Sequence, residues 1–351
     1  TYTAKVPSTP EDSSIGVLNG VARICEESGV DPTQVTRVMH GTTVATNAVL
    51  TGKGARVGLV TTKGYKHTLQ VARSFCPGGL GGWVSYRKKP LLAPLELTIG
   101  ATGRIAADGE VVTALDEAAL RNDLKALRDK GGVEALTICF INAYINAEHE
   151  CRARDIAAEI FTDTPISISS EVVPEMQEYE RTETTVVNSY VRPEVATYVR
   201  NLQAALVDKM GEDTQLSILR SDGGLASARG SAQSPVNLLM SGPAGGVSGA
   251  IYFCSRAGFD DILTFDMGGT STDVALIQNS RARVRRETIV GDVRVRAPSV
   301  DVRTVGAGGG SIAFVPELTK ALRVGPESAG AVPGPACYMK GGEEPTVCDA
   351  N

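Results

Sequence analysis

Apolar residues fall at helical spacing early in the chain. Ile15, Leu18, Val21, Ala22 and Cys25 share one face of a helix predicted over 11–28, which Gly29 is placed to close. The run Thr36-Arg37-Val38-Met39-His40 then reads as a short strand ending at Gly41, and a helix follows with Thr42 or Thr43 as its N-cap. Residues 55–62 suit a buried strand, and 98–115 read as a hairpin turning at Asp108-Gly109. Asp116 caps a helix that lines up Leu120, Leu124 and Leu127, and Gly131-Gly132 ends it. A buried strand over 133–141, a helix over 147–161 and a strand over 165–170 complete the series. Strands alternating with helices in this order predict one α/β domain over 1–165.

The second half, 166–351, reads as a second domain. Residues 175–209 are mainly helical, with an interruption expected at Pro193, and Glu175, Glu178, Glu180, Arg181 and Glu183 read as a solvated face from which Glu180 or Arg181 reaches a cleft at most. A strand and turn follow at 215–227. Residues 236–258 read as a strand or loop, a Gly-rich turn and then a helix, and 261–279 is strand, tight turn, strand. Apolar residues alternating with arginine over 281–304 suggest an antiparallel pair, either exposed or at a subunit contact. Asn146 to Glu150 reads as a helix start with first-turn acids.

Composition narrows the function. Glycine makes up 38 of 351 residues, against a usual share of about 7%, and it is clustered rather than periodic, which excludes collagen-like repeats. A net charge of −5 without a Lys/Arg block gives no reason to expect nucleic acid or an anionic membrane as partner. Seven scattered cysteines without a CxxC pair, and no apolar run of membrane-spanning length, point to a reduced cytoplasmic protein.

The glycine clusters carry the candidate chemistry. In Asp266-Met267-Gly268-Gly269-Thr270-Ser271-Thr272-Asp273, two apolar β runs flank a turn with an Asp on each side. Gly268 and Gly269 let backbone N–H groups approach a phosphate, and Thr270, Ser271 and Thr272 add hydroxyl donors. Asp266 is suited to Mg²⁺ (or Mn²⁺), which takes hard oxygen ligands, and Asp273 to positioning a water or a substrate proton. An ordinary hairpin with a glycine turn is the plainer alternative. A strand follows the turn, so it is not a Rossmann loop, and no Walker A sequence occurs. Gly242 and Gly245 in SGPAGG stand at a helix start, where anions bind or helices pack closely. Gly308, Gly309 and Gly310 allow backbone approach to a nucleotide or a flexible turn. His40, Thr42, Thr43 and Asn47 are a substrate-site candidate at a strand's carboxyl end, or a capping motif with a buried His. Trp83, in a Gly-rich segment over 74–90, is a packing anchor or a substrate platform.

Six ordered stretches together resemble the hydantoinase A / 5-oxoprolinase family: HGTTVATNAVLTGKGARVGLVTTKGY, SSEVVPEMQEYERTETTVVNSYVRP, LLMSGPAGGVSGA, TFDMGGTSTDVALI, TVGAGGGSIAFV and LRVGPESAGAVPGPACY with PTVCDAN. The resemblance implies the actin/sugar-kinase/Hsp70-like ATPase fold, with two ribonuclease-H-like domains and ATP held by two DxGGTxxD hairpins. The 266–273 hairpin corresponds to the second. The first would precede Thr1 and the adenosine segment would follow Asn351, so the expectation is a fragment of roughly the first half. The implied activity is ATP-dependent opening of a cyclic amide of the hydantoin or 5-oxoproline type, with a hydantoinase-B-type partner subunit. Carboxylation of a ketone (acetone or acetophenone) is the alternative, and a non-catalytic ATP-binding module or a kinase stands further off. Arg303 and Asp222 occupy positions where the family often has His and Asn.

Overall fold

The computed structural model describes residues 1–6, 9, 13–74, 90–330 and 332–351. Trp83 lies outside the described residues. The chain forms two compact units, one of residues 1–241 with 286–298, the other of 242–285 with 299–351.

The first unit is built on a four-stranded parallel sheet in the order Thr98–Ala101, Val57–Thr62, Ala135–Cys139, Ile166–Ile168. Both central strands are buried along their whole length, as parallel sheets covered on two faces require. The helices Glu117–Lys130 and Glu148–Ile160 cover one face, where Leu120, Leu124, Leu127 and Ile156 meet Val60, Leu136 and Ile138. Asp116 caps the first of them as its sequence predicts, accepting from the Ala119 N–H at 3.0 Å. The expected hairpin over 98–115 is shorter, because Thr98–Ala101 joins the parallel sheet and only Arg104–Ile105 and Val111–Thr113 pair across the Asp108-Gly109 turn.

The other face is covered by one helix, Glu178–Met210, which runs through Pro193 without interruption. Proline removes one N–H from the helical ladder. Here Val191 and Val195 on either side of it are fully buried, so packing holds the helix where propensity alone would break it. Its first half packs Val186 and Val187 against Val57, Leu59 and Cys139. Its second half packs Tyr198, Leu202 and Leu206 against Leu216 and Ile218. The latter pair belongs to a second sheet, in which Arg37–His40 runs parallel to Gln215–Leu219 and Leu225–Ser227 closes antiparallel. One helix serving both sheets is why the compact unit does not end near 165 but continues to 241.

Of the face read as solvated, Glu178 is exposed, but Glu180 and Arg181 are buried. Glu180 and Arg181 are 9% and 2% exposed. Arg73 grips Glu180 with two bonds of 2.7 Å. Arg181 donates to the carbonyls of Phe140 at 2.6 Å and Glu175 at 3.0 Å. Glu150 is a first-turn acid, as expected, and is wholly buried. It accepts from the Phe140 N–H at 2.8 Å, the Ser169 hydroxyl at 2.6 Å and the Ser170 N–H at 2.8 Å. Glu150 and Arg181 thus hold the two successive peptide groups that flank Phe140 at the carboxyl end of the sheet, because buried polar groups must find partners. Glu183 makes no hydrogen bond or ion pair among the described residues, and burial pushes its carboxyl up to about 7.

The second unit carries the predicted strand–turn–strand. Ile262–Met267 and Thr272–Gln278 pair antiparallel, and Val302–Val305 and Arg281–Ala282 pair with the second strand. The 281–304 stretch is therefore shared out: Thr288–Val290 and Val293–Val295 pair with each other in the first unit, while Val302–Val305 belongs to this sheet. The helix Ser241–Arg256 covers one face, with Ala244 and Val247 against Ala275 and Ile277. Gly242 and Gly245 lie inside its first turns instead of in a turn ahead of it. Pro243 is tolerated there because first-turn N–H groups have no helical partner to lose. On the opposite face Leu263, Phe265, Met267, Leu276 and Val305 are each 48% exposed or more.

Two stability effects follow from the first unit. Glu150→Ala strands two buried N–H donors and a hydroxyl, and should lower stability by roughly 3 kcal/mol or more, read as a drop in urea midpoint at unchanged slope. Glu183→Gln should leave stability unchanged near pH 5, where the wild-type carboxyl is already protonated. At pH 8 it should stabilise the protein, because the wild type has lost the contribution of its raised folded pKa; midpoints at the two pH values measure this.

Candidate functional site

The neck of the second-unit hairpin sets two acids face to face. Asp266 pairs directly with Asp273 across the strands, and Met267 with Thr272 one step nearer the turn. Like charges at opposed cross-strand positions repel unless something positive stands between or beside them. Asp266 makes no hydrogen bond or ion pair among the described residues. Asp273 accepts a 2.6 Å bond from the Thr304 hydroxyl on the neighbouring strand. Thr304 is the functional neighbour that sequence reasoning missed; the one signal for it is its alternating place in the strand just ahead of Gly306.

The turn is held open by its own backbone. The Gly268 N–H donates to the Ser271 carbonyl at 2.8 Å. The N–H groups of Gly269, Thr270 and Ser271, and the Thr270 and Ser271 hydroxyls, have no partner among the described residues. Thr272 is different: it is buried, and its hydroxyl donates to the Ala307 carbonyl at 2.6 Å. Of the three hydroxyls expected to serve a phosphate, two are uncommitted and one ties the hairpin to the next glycine cluster.

That cluster is a brace. Gly309 N–H donates to Gly268 O at 2.9 Å and Gly310 N–H to Gly269 O at 2.7 Å, while Gly308 N–H donates to the Ser311 hydroxyl at 2.8 Å. All three glycines are buried, and all three amides are spent inside the protein. The approach is possible only without side chains. A Cβ at 308 would lie 2.6 Å from Gly268 O and 2.7 Å from the Thr270 and Ser271 nitrogens, and one at 309 would lie 2.7 Å from Cys348 Sγ.

The helix Ser241–Arg256 is joined to the strand Ile262–Met267 by the short link 257–261, so its N-terminus, with Gly242 and Gly245, points toward the turn end of the sheet. There the Gly242 N–H lacks a helical partner, while Ala244 and Gly245 fall within the ladder. Gly242, Gly245, Asp266, Gly268 to Thr272, Asp273 and Gly308 to Gly310 therefore all belong to one unit and one end of it.

His40, Thr42, Thr43 and Asn47 come together in the first unit, at the carboxyl end of Arg37–His40. His40 Nε2 and the Tyr198 hydroxyl share a 2.7 Å hydrogen bond, and burial holds the imidazole below its usual range, hence neutral near pH 7. Thr42 Oγ1 accepts from the Val44 N–H at 3.2 Å and Thr43 Oγ1 from Asn47 Nδ2 at 3.3 Å. These bonds start the helix Val44–Thr51 and leave Asn47 exposed at its first turn. Among the described residues no group of three or more His, Cys, Asp or Glu is placed to hold a metal ion, so a cation at Asp266 and Asp273 needs further oxygens from its ligand and water. No helix of the described residues is long and apolar enough to cross a membrane.

Known proteins resemble this chain in sequence and fold. The sequence matches the model of the hydantoinase/oxoprolinase N-terminal region over residues 1–161 and that of hydantoinase/oxoprolinase over 181–351. It is 36% identical to caprolactamase subunit alpha of Pseudomonas jessenii, over 99% of this chain and 50% of that protein. It is 33% identical to the acetophenone carboxylase gamma subunit of Aromatoleum aromaticum, over 100% of this chain and 50% of that one. With 5-oxoprolinase 1 of Arabidopsis thaliana it shares 35% over 98% of this chain and 28% of the other. The chain thus spans half or less of the length of these relatives. The fold superposes on the ATP-dependent caprolactamase of Pseudomonas jessenii with a TM-score of 0.84 at 36% identity, over 99% of this chain and 50% of that one. It superposes on nucleotide-free acetone carboxylase with 0.81 at 27%, over 97% and 49%. The α/β ATPase-type fold expected from the motifs is the fold observed, and a chain so matched along nearly its whole length belongs to the hydantoinase/oxoprolinase family.

Proposed function

We propose that this chain carries one of the phosphate-gripping hairpins of an ATP-dependent enzyme that opens a cyclic amide through a phosphorylated intermediate. The observation that carries the proposal is the turn 268–271. Three backbone N–H groups and two hydroxyls stand uncommitted there, above a facing pair of carboxylates, on a backbone that a second glycine loop holds rigid. Donors fixed before the ligand arrives are what phosphoryl transfer needs, since its catalysis is mostly positioning and charge stabilisation.

In this scheme Gly269, Thr270 and Ser271 donate to phosphate oxygens, with the helix start at Gly242 adding a favourable dipole. Gly308, Gly309 and Gly310 act from behind, by fixing the turn. Asp266 holds Mg²⁺ (or Mn²⁺), which when bound neutralises phosphate charge; its unpartnered carboxylate is the hard oxygen donor such an ion takes. Asp273 orients the group that attacks phosphorus, the oxygen of a poorly electrophilic amide. Phosphorylating that oxygen makes the ring carbon open to water, and the ring then breaks at its C–N bond. His40, Thr42, Thr43 and Asn47 are assigned to the substrate, and the partner to a hydantoinase-B-type subunit in the cytoplasm. Likeness to the caprolactamase in both sequence and fold favours cyclic amides. The likeness to acetophenone and acetone carboxylases supports a second reading, in which a ketone enolate takes the phosphate and bicarbonate follows.

ADP release by the active enzyme, measured with caprolactam, 5-oxoproline, hydantoin, and acetone or acetophenone plus bicarbonate, separates the readings. Stimulation by a cyclic amide is expected, stimulation by ketone plus bicarbonate alone selects the second, and turnover indifferent to all of them rejects both. Asp266→Asn should lower ATP turnover by about 10²-fold or more with an unchanged circular dichroism spectrum; undiminished turnover would remove the hairpin from the mechanism. Gly308→Ala should displace the turn and cost on the order of 10²-fold in the same assay, although residue 308 touches no ligand.

A further inference from the structure

Asp273 lies between two strands, and its two facing neighbours differ in chemistry. Asp266 faces it on one side and Thr304 on the other. The Thr304 hydroxyl donates to Asp273 Oδ1 at 2.6 Å, whereas Asp266 has no protein partner among the described residues. The two acids are alike in residue type, sheet face and distance from the turn, but Asp273 is half-buried on the inner strand and held by this bond, while Asp266 is exposed on the outer strand.

The bond is not forced by burial. Thr304 is exposed, and water would satisfy both groups equally well. What the contact adds is geometry: a donor from a neighbouring strand selects one rotamer of Asp273 and ties up Oδ1, leaving Oδ2 as its available acceptor. It also draws that charge toward Val302–Val305 and so eases its repulsion of Asp266. The strand that supplies Thr304 runs directly into Gly306, and the next glycines brace the turn through Gly309 and Gly310. One continuous segment, 302–310, thus fixes both the phosphate donors and the second carboxylate.

We propose that Thr304 is a positioning residue that divides the work of the two aspartates, holding Asp273 ready to orient the attacking group and leaving Asp266 free for the cation. The proposal rests on the assignment of 266–273 as a phosphate hairpin. No direct contact between Thr304 and any ligand is implied.

The test compares Thr304→Val, Thr304→Ser and Asp273→Asn in the active enzyme, by steady-state ADP release. Valine keeps the shape and β-propensity of threonine but removes the donor. Thr304→Val is expected to lower kcat about tenfold, with KM for ATP within twofold of the wild type, and Thr304→Ser to restore most of kcat. A wild-type kcat in the valine variant overturns the proposal, as does a loss seen only in KM or an equal loss in the serine variant. If Asp273→Asn abolishes turnover while Thr304→Val does not, the positioning role alone fails. If Asp273→Asn itself leaves turnover intact, the hairpin assignment fails and the proposal with it.

Discussion

Peptide groups of two distant loops touch in the second unit, and the arrangement of the site depends on that contact. Gly309 and Gly310 reach the carbonyls of Gly268 and Gly269 because no side chain separates the loops. A turn carrying free donors is ordinarily soft, since each donor left unpaired inside it is one bond fewer to hold it. Here the carbonyls of Gly268 and Gly269 are bonded by the second loop, while the N–H groups of Gly269, Thr270 and Ser271 have no partner among the described residues. Rigidity and availability, which usually trade against each other, are obtained from opposite sides of the same peptides.

The first unit solves a different problem by burying charge. Glu150 and Arg181 take the N–H and the C=O of Phe140, in two successive peptide groups deep at the carboxyl edge of a parallel sheet. Such groups add little net stability compared with well-packed apolar residues, but they are costly to leave half-paired. They therefore fix where the chain leaves the sheet. The long helix Glu178–Met210 brings Arg181 to this edge and, some five turns later, Tyr198 to His40. The same rigid rod sets the ends of both sheets of the unit.

The sequence legibility of these features follows their range. Asp116 as a cap, the leucine face behind it, the buried strands and the 262–278 hairpin are local patterns and appear where periodicity puts them. The Pro193 break was expected because propensity counts only the lost N–H, while burial of Val191 and Val195 decides the outcome. The burial of Glu150, Glu180 and Arg181 escapes local patterns because their partners Phe140 and Arg73 are 10 to 107 residues away. At the site, the Asp and Gly residues of the turn are written in the motif itself. The bracing role of Gly308 to Gly310 and the bond from Thr304 depend on which strands lie side by side. Sequence spacing does not encode that.

The uncovered face of the second sheet has one further consequence. Phe265, Val274 and Arg303 stand in a row across three strands, so a guanidinium sits at the outer-strand end of the surface formed by Leu263, Phe265, Met267, Leu276 and Val305. Arg303 stands 3.7 Å from Asp301, and a purely greasy covering layer would take that pair out of water, which costs more than the apolar contacts return. The face is thus selective as well as sticky: it admits a surface that brings an acceptor to the position of Arg303 or leaves a wet notch there, and turns away one that does neither.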